Sequence, residues 1–285
     1  VGSTLALPEF PVPDNVYRLT LTDAEREWLA GRYPSANQTP KDCVTCRGAK
    51  RFRWYGPGRA EVRDYRCPCA KQFILYRRML HSGIGLALQR LDWDDGNGIP
   101  PEPFARVTRY ADNVERYVHA GIGLVLSGEA RGVGKTMCAA LVLKDLICNH
   151  GVHGYMTTFS ALLDAYTDGW PSPAARADFV ARIRNAQVLL IDDLGREQRG
   201  RISVAGSALE DLVRHRCQHA LPTLLTTNLT QAEIASGYGG HVVSVLAEAA
   251  LVVDFPATAT DYRPAAQVRL EDEVAQGLTR PVVCS

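Results

Sequence analysis

The stretch Ser127-Gly-Glu-Ala-Arg-Gly-Val-Gly-Lys-Thr136 lies between an apolar run, Ile122 to Leu126, and a helical run, Met137 to Cys148. A strand, a glycine-rich turn and a helix in that order leave few architectures open, because such turns sit at the carboxyl ends of parallel strands. A phosphate chain needs backbone N–H groups that all point inward, which Gly132 and Gly134 permit. It also needs a mobile cation, Lys135, and a hydroxyl for Mg2+, Thr136. The stretch therefore reads as a nucleotide-binding P-loop, with Gly132, Val133, Gly134, Lys135, Thr136 and Met137 as the binding set. It departs from the G-x-x-x-x-G-K-T spacing, since Glu129 stands at the first glycine's position and Gly128 comes one residue too early. A one-residue expansion of the outer turn accounts for this and leaves Gly132-Val-Gly-Lys-Thr136 intact.

Downstream, Val188-Leu-Leu-Ile-Asp-Asp-Leu-Gly195 is a short apolar run that ends in two adjacent carboxylates. Parallel strands covered on both faces are continuously apolar, so this reads as a Walker B strand. Asp192 is expected to hold Mg2+ through water and Asp193 to polarise the attacking water. Pro222-Thr-Leu-Leu-Thr-Thr-Asn228 reads as a third strand, inserted between the two Walker elements, with Asn228 orienting water beside the γ-phosphate. Taken alone, Thr-Thr-Asn is an ordinary turn.

These residues resemble the AAA+ ATPases of the bacterial and phage helicase-loader group, DnaC- and DnaI-like, with the transposition helper IstB as a relative. The resemblance spans Gly83 to Pro264 and is carried by the Walker elements, Leu189 to Gly195, Pro222 to Leu229 and Asp261-Tyr-Arg263. It implies an α/β fold, an AAA+ core with a parallel sheet flanked by helices. It further implies ATP and Mg2+ as ligands, a DnaB-type replicative helicase and single-stranded DNA as partners, and self-assembly into an open or spiral oligomer. Arg263 is by resemblance the sensor-2 arginine. The group carries Ser-Arg-Leu where this chain reads Ser244-Val-Leu246, so the expected arginine finger is absent at Val245. Such a finger accelerates phosphoryl transfer by on the order of 10³ to 10⁵. Either Arg214 or Arg216 substitutes for it, or hydrolysis is weak or partner-dependent. Two further readings remain: an adaptor that binds ATP without hydrolysing it, and an IstB-like helper acting on duplex DNA.

A second constellation lies nearer the amino terminus, where Cys43-Val-Thr-Cys46 is followed by Cys67-Pro-Cys69. Two close pairs of thiolates fit a tetrahedral Zn2+, and a disulfide arrangement is the alternative. Phe52 to Tyr55, a Gly56-Pro-Gly58 turn and Glu61 to Tyr65 form an expected β-hairpin that would unite the pairs as in a zinc ribbon. The region is rich in Lys and Arg although the whole chain carries a formal net charge of only +1. Basic residues interleaved with Phe52, Trp54, Tyr55 and Tyr65 suit a single-stranded nucleic acid. The same rings could equally be the ribbon's own small core, and a protein partner could use the same face.

The chain has 285 residues, 46% apolar and 22% charged, enough for an α/β core and a metal-stapled module. The expected organisation is a tail and helix over 1–40, a zinc module over 41–80, a linker over 81–106 and an AAA+ domain over 107–285. Asp92 to Pro103 has the linker composition, and a helix is expected from Val107 to His119. Thr22-Asp-Ala-Glu25 is a capping box opening a helix through Tyr33, on which Trp28 and Leu29 are either helicase anchors or core. Tyr166, Trp170 and Arg176 are candidate contacts to single-stranded DNA, with Tyr166 and Trp170 alternatively satellite core. Cys138, Cys148, Cys217 and Cys284 are scattered in the manner of reduced cysteines. With no membrane-length apolar run and no basic stretch before an apolar segment at the start, a cytoplasmic location in a bacterial or phage-infected cell is expected.

Overall fold

The computed structural model describes residues 43, 46–55, 62–166, 172–195 and 202–277. The helix expected over Thr22–Tyr33, with Trp28 and Leu29, lies outside these residues, as do Trp170 and Cys284. The chain divides into two compact units, Val1–Arg77 and Arg78–Ser285.

In the first unit, β1 (Arg51–Tyr55) and β2 (Val62–Arg66) form the expected antiparallel hairpin, with Arg51 opposite Arg66 and Tyr55 opposite Val62. The amide of Cys67 donates to the Lys50 carbonyl at 3.0 Å, extending the ladder to the cysteines. Helix α1 (Pro68–His81) starts directly after Cys67, and its proline occupies a first-turn position where no N–H is needed.

The second unit is a five-stranded parallel sheet. Its strands are β3 (Gly123–Ser127), β4 (Gly154–Thr158), β5 (Val188–Leu194), β6 (Thr223–Thr227) and β7 (Ala250–Asp254). They lie in the order β4-β5-β6-β3-β7, so β6 is inserted between the P-loop strand β3 and the two-carboxylate strand β5. That is the arrangement expected from the sequence. Continuous apolar strands place alternate residues on opposite faces. Leu124, Leu126, Leu190 and Leu224 join one buried cluster, while Val125, Leu189, Ile191 and Leu225 join the other. Helix α5 (Lys135–Cys148) fills the first face. It is buried nearly all round, which its Met-Cys-Ala-Ala-Leu-Val-Leu run allows.

Residues 83–106 do not form a linker. Helix α2 (Leu86–Gln89), a 3-10 turn (Trp93–Gly96) and the start of α3 (Pro101–Asp112) pack onto the same core cluster as α5, through Ile84, Leu88, Leu91, Trp93, Ile99 and Phe104. The Asp, Gly and Pro residues that suggest a solvated linker serve local packing instead. Asp92 and Asp95 make a reciprocal capping box around the 3-10 turn, and buried Lys144 of α5 donates to the Leu91 carbonyl at 2.7 Å. The helix expected from Val107 to His119 starts earlier and is broken at Asn113, with α4 (Val114–His119) following.

On the other face, α6 (Phe159–Tyr166), α7 (Pro173–Asn185), α8 (Ile202–Gln218), α9 (Gln231–Tyr238) and α10 (Gly240–Ala249) precede the closing α11 (Arg263–Ala275). Tyr166 packs against this face's core, as the satellite reading allows, and Arg176 is exposed on α7. Cys138 and Cys217 are free, but Cys148 is disulfide-bonded, against the expectation of scattered reduced cysteines. No helix among the described residues is long and apolar enough to cross a membrane.

Arg216, one of the two arginines considered as a substitute for the expected finger, points into the fold. It is fully buried on α8, and its guanidinium donates to the carbonyls of Ile183, Arg184, Ala186 and Pro222 and to the Thr223 hydroxyl, at 2.7 to 3.2 Å. Among the described residues no carboxylate pairs with it, and burial lowers its pKa to about 9. It clamps the end of α7 to the start of β6. Arg214, half exposed and paired with Glu210 at 2.7 Å, remains at the surface. Truncating a buried group with five partners strands acceptors that each cost about 1 to 3 kcal/mol. Arg216→Ala should therefore lower stability by about 3 kcal/mol or more in urea unfolding, whereas Arg214→Ala should change it by less than about 1 kcal/mol.

Candidate functional site

The turn between β3 and α5 is built by glycines in left-handed conformations. Gly132 has φ 71° and a built Cβ would lie 1.9 Å from the Asp261 carboxylate. Gly134, the N-cap of α5, has φ 93° and its Cβ would lie 2.6 Å from Ile99. Side chains at either position would push away the segments that press on the turn from outside. Gly128, the early glycine, has φ 131° and sits against the Phe255 backbone after β7, so the expanded outer turn is itself a packed feature.

Lys135 is buried, and its ammonium donates to the carbonyls of Gly128 (2.7 Å) and Ala130 (2.6 Å) in the same turn. Burial lowers its pKa to about 8, opposed by the charge of Asp193. Thr136, next on α5, donates to Asp192 Oδ1 at 2.9 Å, and Thr226 of β6 donates to the same oxygen at 2.5 Å. Burial pushes the Asp192 carboxyl up, and these two hydroxyls pull it back. Thr226 Oγ1 also accepts the Asp193 amide at 3.1 Å.

Adjacent residues of a regular strand point to opposite faces, yet both carboxylates are turned toward the P-loop end. A register irregularity between Ile191 and Leu194, together with φ 60° at Asp193, re-aims them. A bulge beside a site commonly does this, and a non-glycine residue in the left-handed region is a conformation the surroundings must enforce. Thr226 supplies that enforcement.

The cavity above these groups has a volume of about 320 Å³. Gly132, Val133, Gly134, Lys135, Thr136 and Met137 line it, as do Asp193, Asn228 and Arg263. Asp192 lies just behind, bonded to Thr136. Arg263 opens α11 with its side chain 70% exposed, 3.9 Å from Asp261. The cavity thus brings together the P-loop candidates, Asp193, Asn228 and Arg263, with Asp192 bonded to Thr136 behind them. Val245, by contrast, is half-buried on α10 against the core, and Ser244 beside it is exposed.

Several lining residues escaped the sequence reading. Leu88 and Leu91 come from the segment taken for a linker, Tyr262 and Ala266 from the closing helix region, and Thr226 and Thr227 from β6. Tyr262 ties the turn down, since its amide donates to the Gly132 carbonyl at 2.9 Å. Its hydroxyl donates to the Asp95 carbonyl and accepts from Arg269, which also pairs at 2.9 Å with the buried Asp95 carboxylate. The Tyr262 ring packs over Gly98. The only sequence signal for this bolt was Asp-Gly-Asn-Gly98, a loop composition that gave no hint of a buried partner.

In the other unit, the sulfurs of Cys43, Cys46, Cys67 and Cys69 lie within 4.8 Å of one another, and all four residues are buried. Cys43 and Cys67 approach to 3.6 Å and Cys46 and Cys69 to 3.3 Å. Metal–sulfur bonds of about 2.3 Å in a tetrahedron put sulfurs about 3.8 Å apart, so the cluster is compatible with zinc. None of the four is joined in a disulfide. Amides of Gly48 and Lys50 donate to the Cys46 sulfur and that of Cys69 to the Cys67 sulfur, as suits thiolates. Positive φ at Arg47, Gly48 and Lys50 folds the first pair's loop back to make this possible. The shorter Cys-Pro-Cys spacing is absorbed by α1, which starts inside it.

Thr226→Val removes both of that residue's hydrogen bonds at nearly constant volume. It should lower stability by about 1 to 3 kcal/mol in urea unfolding, because the Asp192 carboxylate and the Asp193 amide each lose a partner. Thr226→Ser should restore the parent's behaviour.

No protein-family model and no curated protein matches the chain. Among solved structures it is similar to one described as the DnaC helicase loader, at 24% identity and a TM-score of 0.47, covering 54% of this chain and 89% of that one. A DnaI structure is similar at 21% identity and a TM-score of 0.43, covering 54% and 85%. A putative primosome component from Streptococcus pyogenes serotype M3 is similar at 22% identity and a TM-score of 0.44, covering 53% and 78%.

Proposed function

We propose that this protein is an ATP-dependent loader of a DnaB-type replicative helicase onto single-stranded DNA, working as an open or spiral oligomer. The observation that carries the ATPase part is the Asp192 carboxylate, held by the P-loop threonine on one side and by Thr226 on the other, beneath a glycine-built turn that lines a cavity. The loader part rests on the sequence resemblance carried by Leu189 to Gly195, Pro222 to Leu229 and Asp261 to Arg263.

In this reading the Gly132–Thr136 amides and Lys135 take the triphosphate, whose oxygens replace the Gly128 and Ala130 carbonyls on the lysine. The Thr136 hydroxyl and Asp192 carboxylate, hard oxygen donors 2.9 Å apart, suit Mg2+, which would neutralise charge on the phosphates. Asp193 accepts a proton from the attacking water while Asn228 orients it, and Arg263 reaches the phosphates from the rim of the cavity. Cys43, Cys46, Cys67 and Cys69 hold a structural zinc that staples the hairpin unit, a small domain with little core of its own.

A second reading, a non-hydrolysing adaptor that uses ATP as a conformational ligand, is favoured by two observations. Val245 stands where the finger is expected, and Arg216 is locked inside the fold.

ATP hydrolysis is to be measured with and without single-stranded DNA and the host's replicative helicase, beside a helicase pull-down and a Lys135→Ala control. Stimulated turnover with helicase capture is the expected outcome. Capture without turnover establishes the adaptor, and absence of both overturns the loader in favour of the duplex-DNA transposition helper. Metal analysis should find one zinc per chain. Cys67→Ser should abolish it while leaving nucleotide binding within about twofold, and a metal-free native protein would remove the zinc from the proposal.

A further inference from the structure

Away from the phosphate-binding turn, the cavity is walled by Leu88, Leu91, Met137 and Ala266. Of its polar side chains, Lys135, Thr136, Asp193, Asn228 and Arg263 are assigned above to phosphate, metal and water, while the hydroxyls of Thr226 and Thr227 are engaged by Asp192 and by the Leu194 carbonyl. Among the described residues Tyr262 is the remaining polar wall residue, and its hydroxyl is engaged by the Asp95 carbonyl and by Arg269. Gln89 is the amide side chain adjoining Leu88. It is not part of the lining and donates instead to the carbonyls of Met79 (3.3 Å) and Ile84 (2.6 Å).

The backbone of the same wall is also occupied. The Leu88 amide donates to Gly85 and the Leu91 amide to Leu88. The Leu91 carbonyl accepts the Lys144 ammonium, and the Gly132 carbonyl accepts the Tyr262 amide. Adenine and guanine are similar in size and differ mainly in the donors and acceptors along their edges. A wall that meets them with aliphatic carbon and engaged backbone groups has little with which to tell them apart.

We propose that this site selects the triphosphate and the bulk of the base but not its hydrogen-bonding edge, so that ATP and GTP occupy it on nearly equal terms. The proposal rests on the nucleotide reading above and specifies its ligand class as purine nucleoside triphosphates in general. An apolar pocket separates ligands differing by one small group by only about 10- to 200-fold, whereas a site built to hydrogen-bond one of them reaches about 10⁴ or more. For two purines of nearly equal size the lower end applies. Pyrimidines, which cover less of the leucine wall, should bind more weakly.

The test is competition of unlabelled ATP, GTP and CTP, with Mg2+, against a fluorescent ATP analogue bound to the full chain. ATP and GTP should displace it with constants within about threefold, and CTP should be about tenfold weaker. Leu91→Ala should weaken ATP and GTP alike by about tenfold while leaving inorganic tripolyphosphate unchanged. A preference for ATP over GTP of a hundredfold or more would overturn the proposal while leaving the nucleotide site standing. A folded protein that binds no analogue, with Lys135→Ala indistinguishable from the parent, overturns the nucleotide reading itself.

Discussion

One carboxylate oxygen joins three elements of this molecule. Asp192 Oδ1 accepts from Thr136 at the head of α5 and from Thr226 near the end of β6, while Thr226 in turn accepts the Asp193 amide. Helix, central strand and the strained strand end are thereby indexed to a single point. The arrangement is possible because β6 is inserted between β3 and β5, which sets the threonine side chain beside the acid. Burial opposes the charge on Asp192, and the hydroxyls of Thr226 and Thr136, with the Asp193 amide, compensate for it.

Around that point the fold presses the P-loop from two sides. Ile99 lies against Gly134 and Asp261 against Gly132, and the two segments are bolted together by Asp95, Arg269 and Tyr262. The bolt combines a charged pair whose acid is fully buried with a ring over Gly98. It keeps the leucine wall and the first turn of α11 at a fixed separation across the cavity. A ligand entering between them finds the walls already spaced, so little ordering opposes binding.

The chemistry of the turn and of the acidic strand was legible because each needs particular residue types at fixed spacing. Strand order, hairpin and cysteine cluster followed from apolar runs and paired thiols. The Asp92–Pro103 segment was misread because composition reports backbone freedom, and the same glycines and prolines that loosen a linker also let a chain pass close to a ring or a P-loop. Arg216 was misread for a related reason. A sequence shows that an arginine lies on a helix, but whether it faces solvent or four inward carbonyls and a hydroxyl depends on the end of α7, thirty residues earlier, and on the start of β6. Thr226 carried no signal of its own, since a hydroxyl in an apolar strand becomes informative only once its neighbour in the sheet is known.

The order in which the parts appear along the chain has a consequence for biosynthesis. The P-loop strand β3 has β6 and β7 as its two neighbours, both encoded after it, and the bolt closes only with Tyr262 and Arg269. A ribosome that has released the P-loop and both carboxylates has therefore made a central strand without a partner on either side. The nascent polypeptide must hold that apolar strand unpaired until nearly the whole second unit has emerged. Pairings so distant along the chain form slowly, and the exposed interval is where a chaperone would engage.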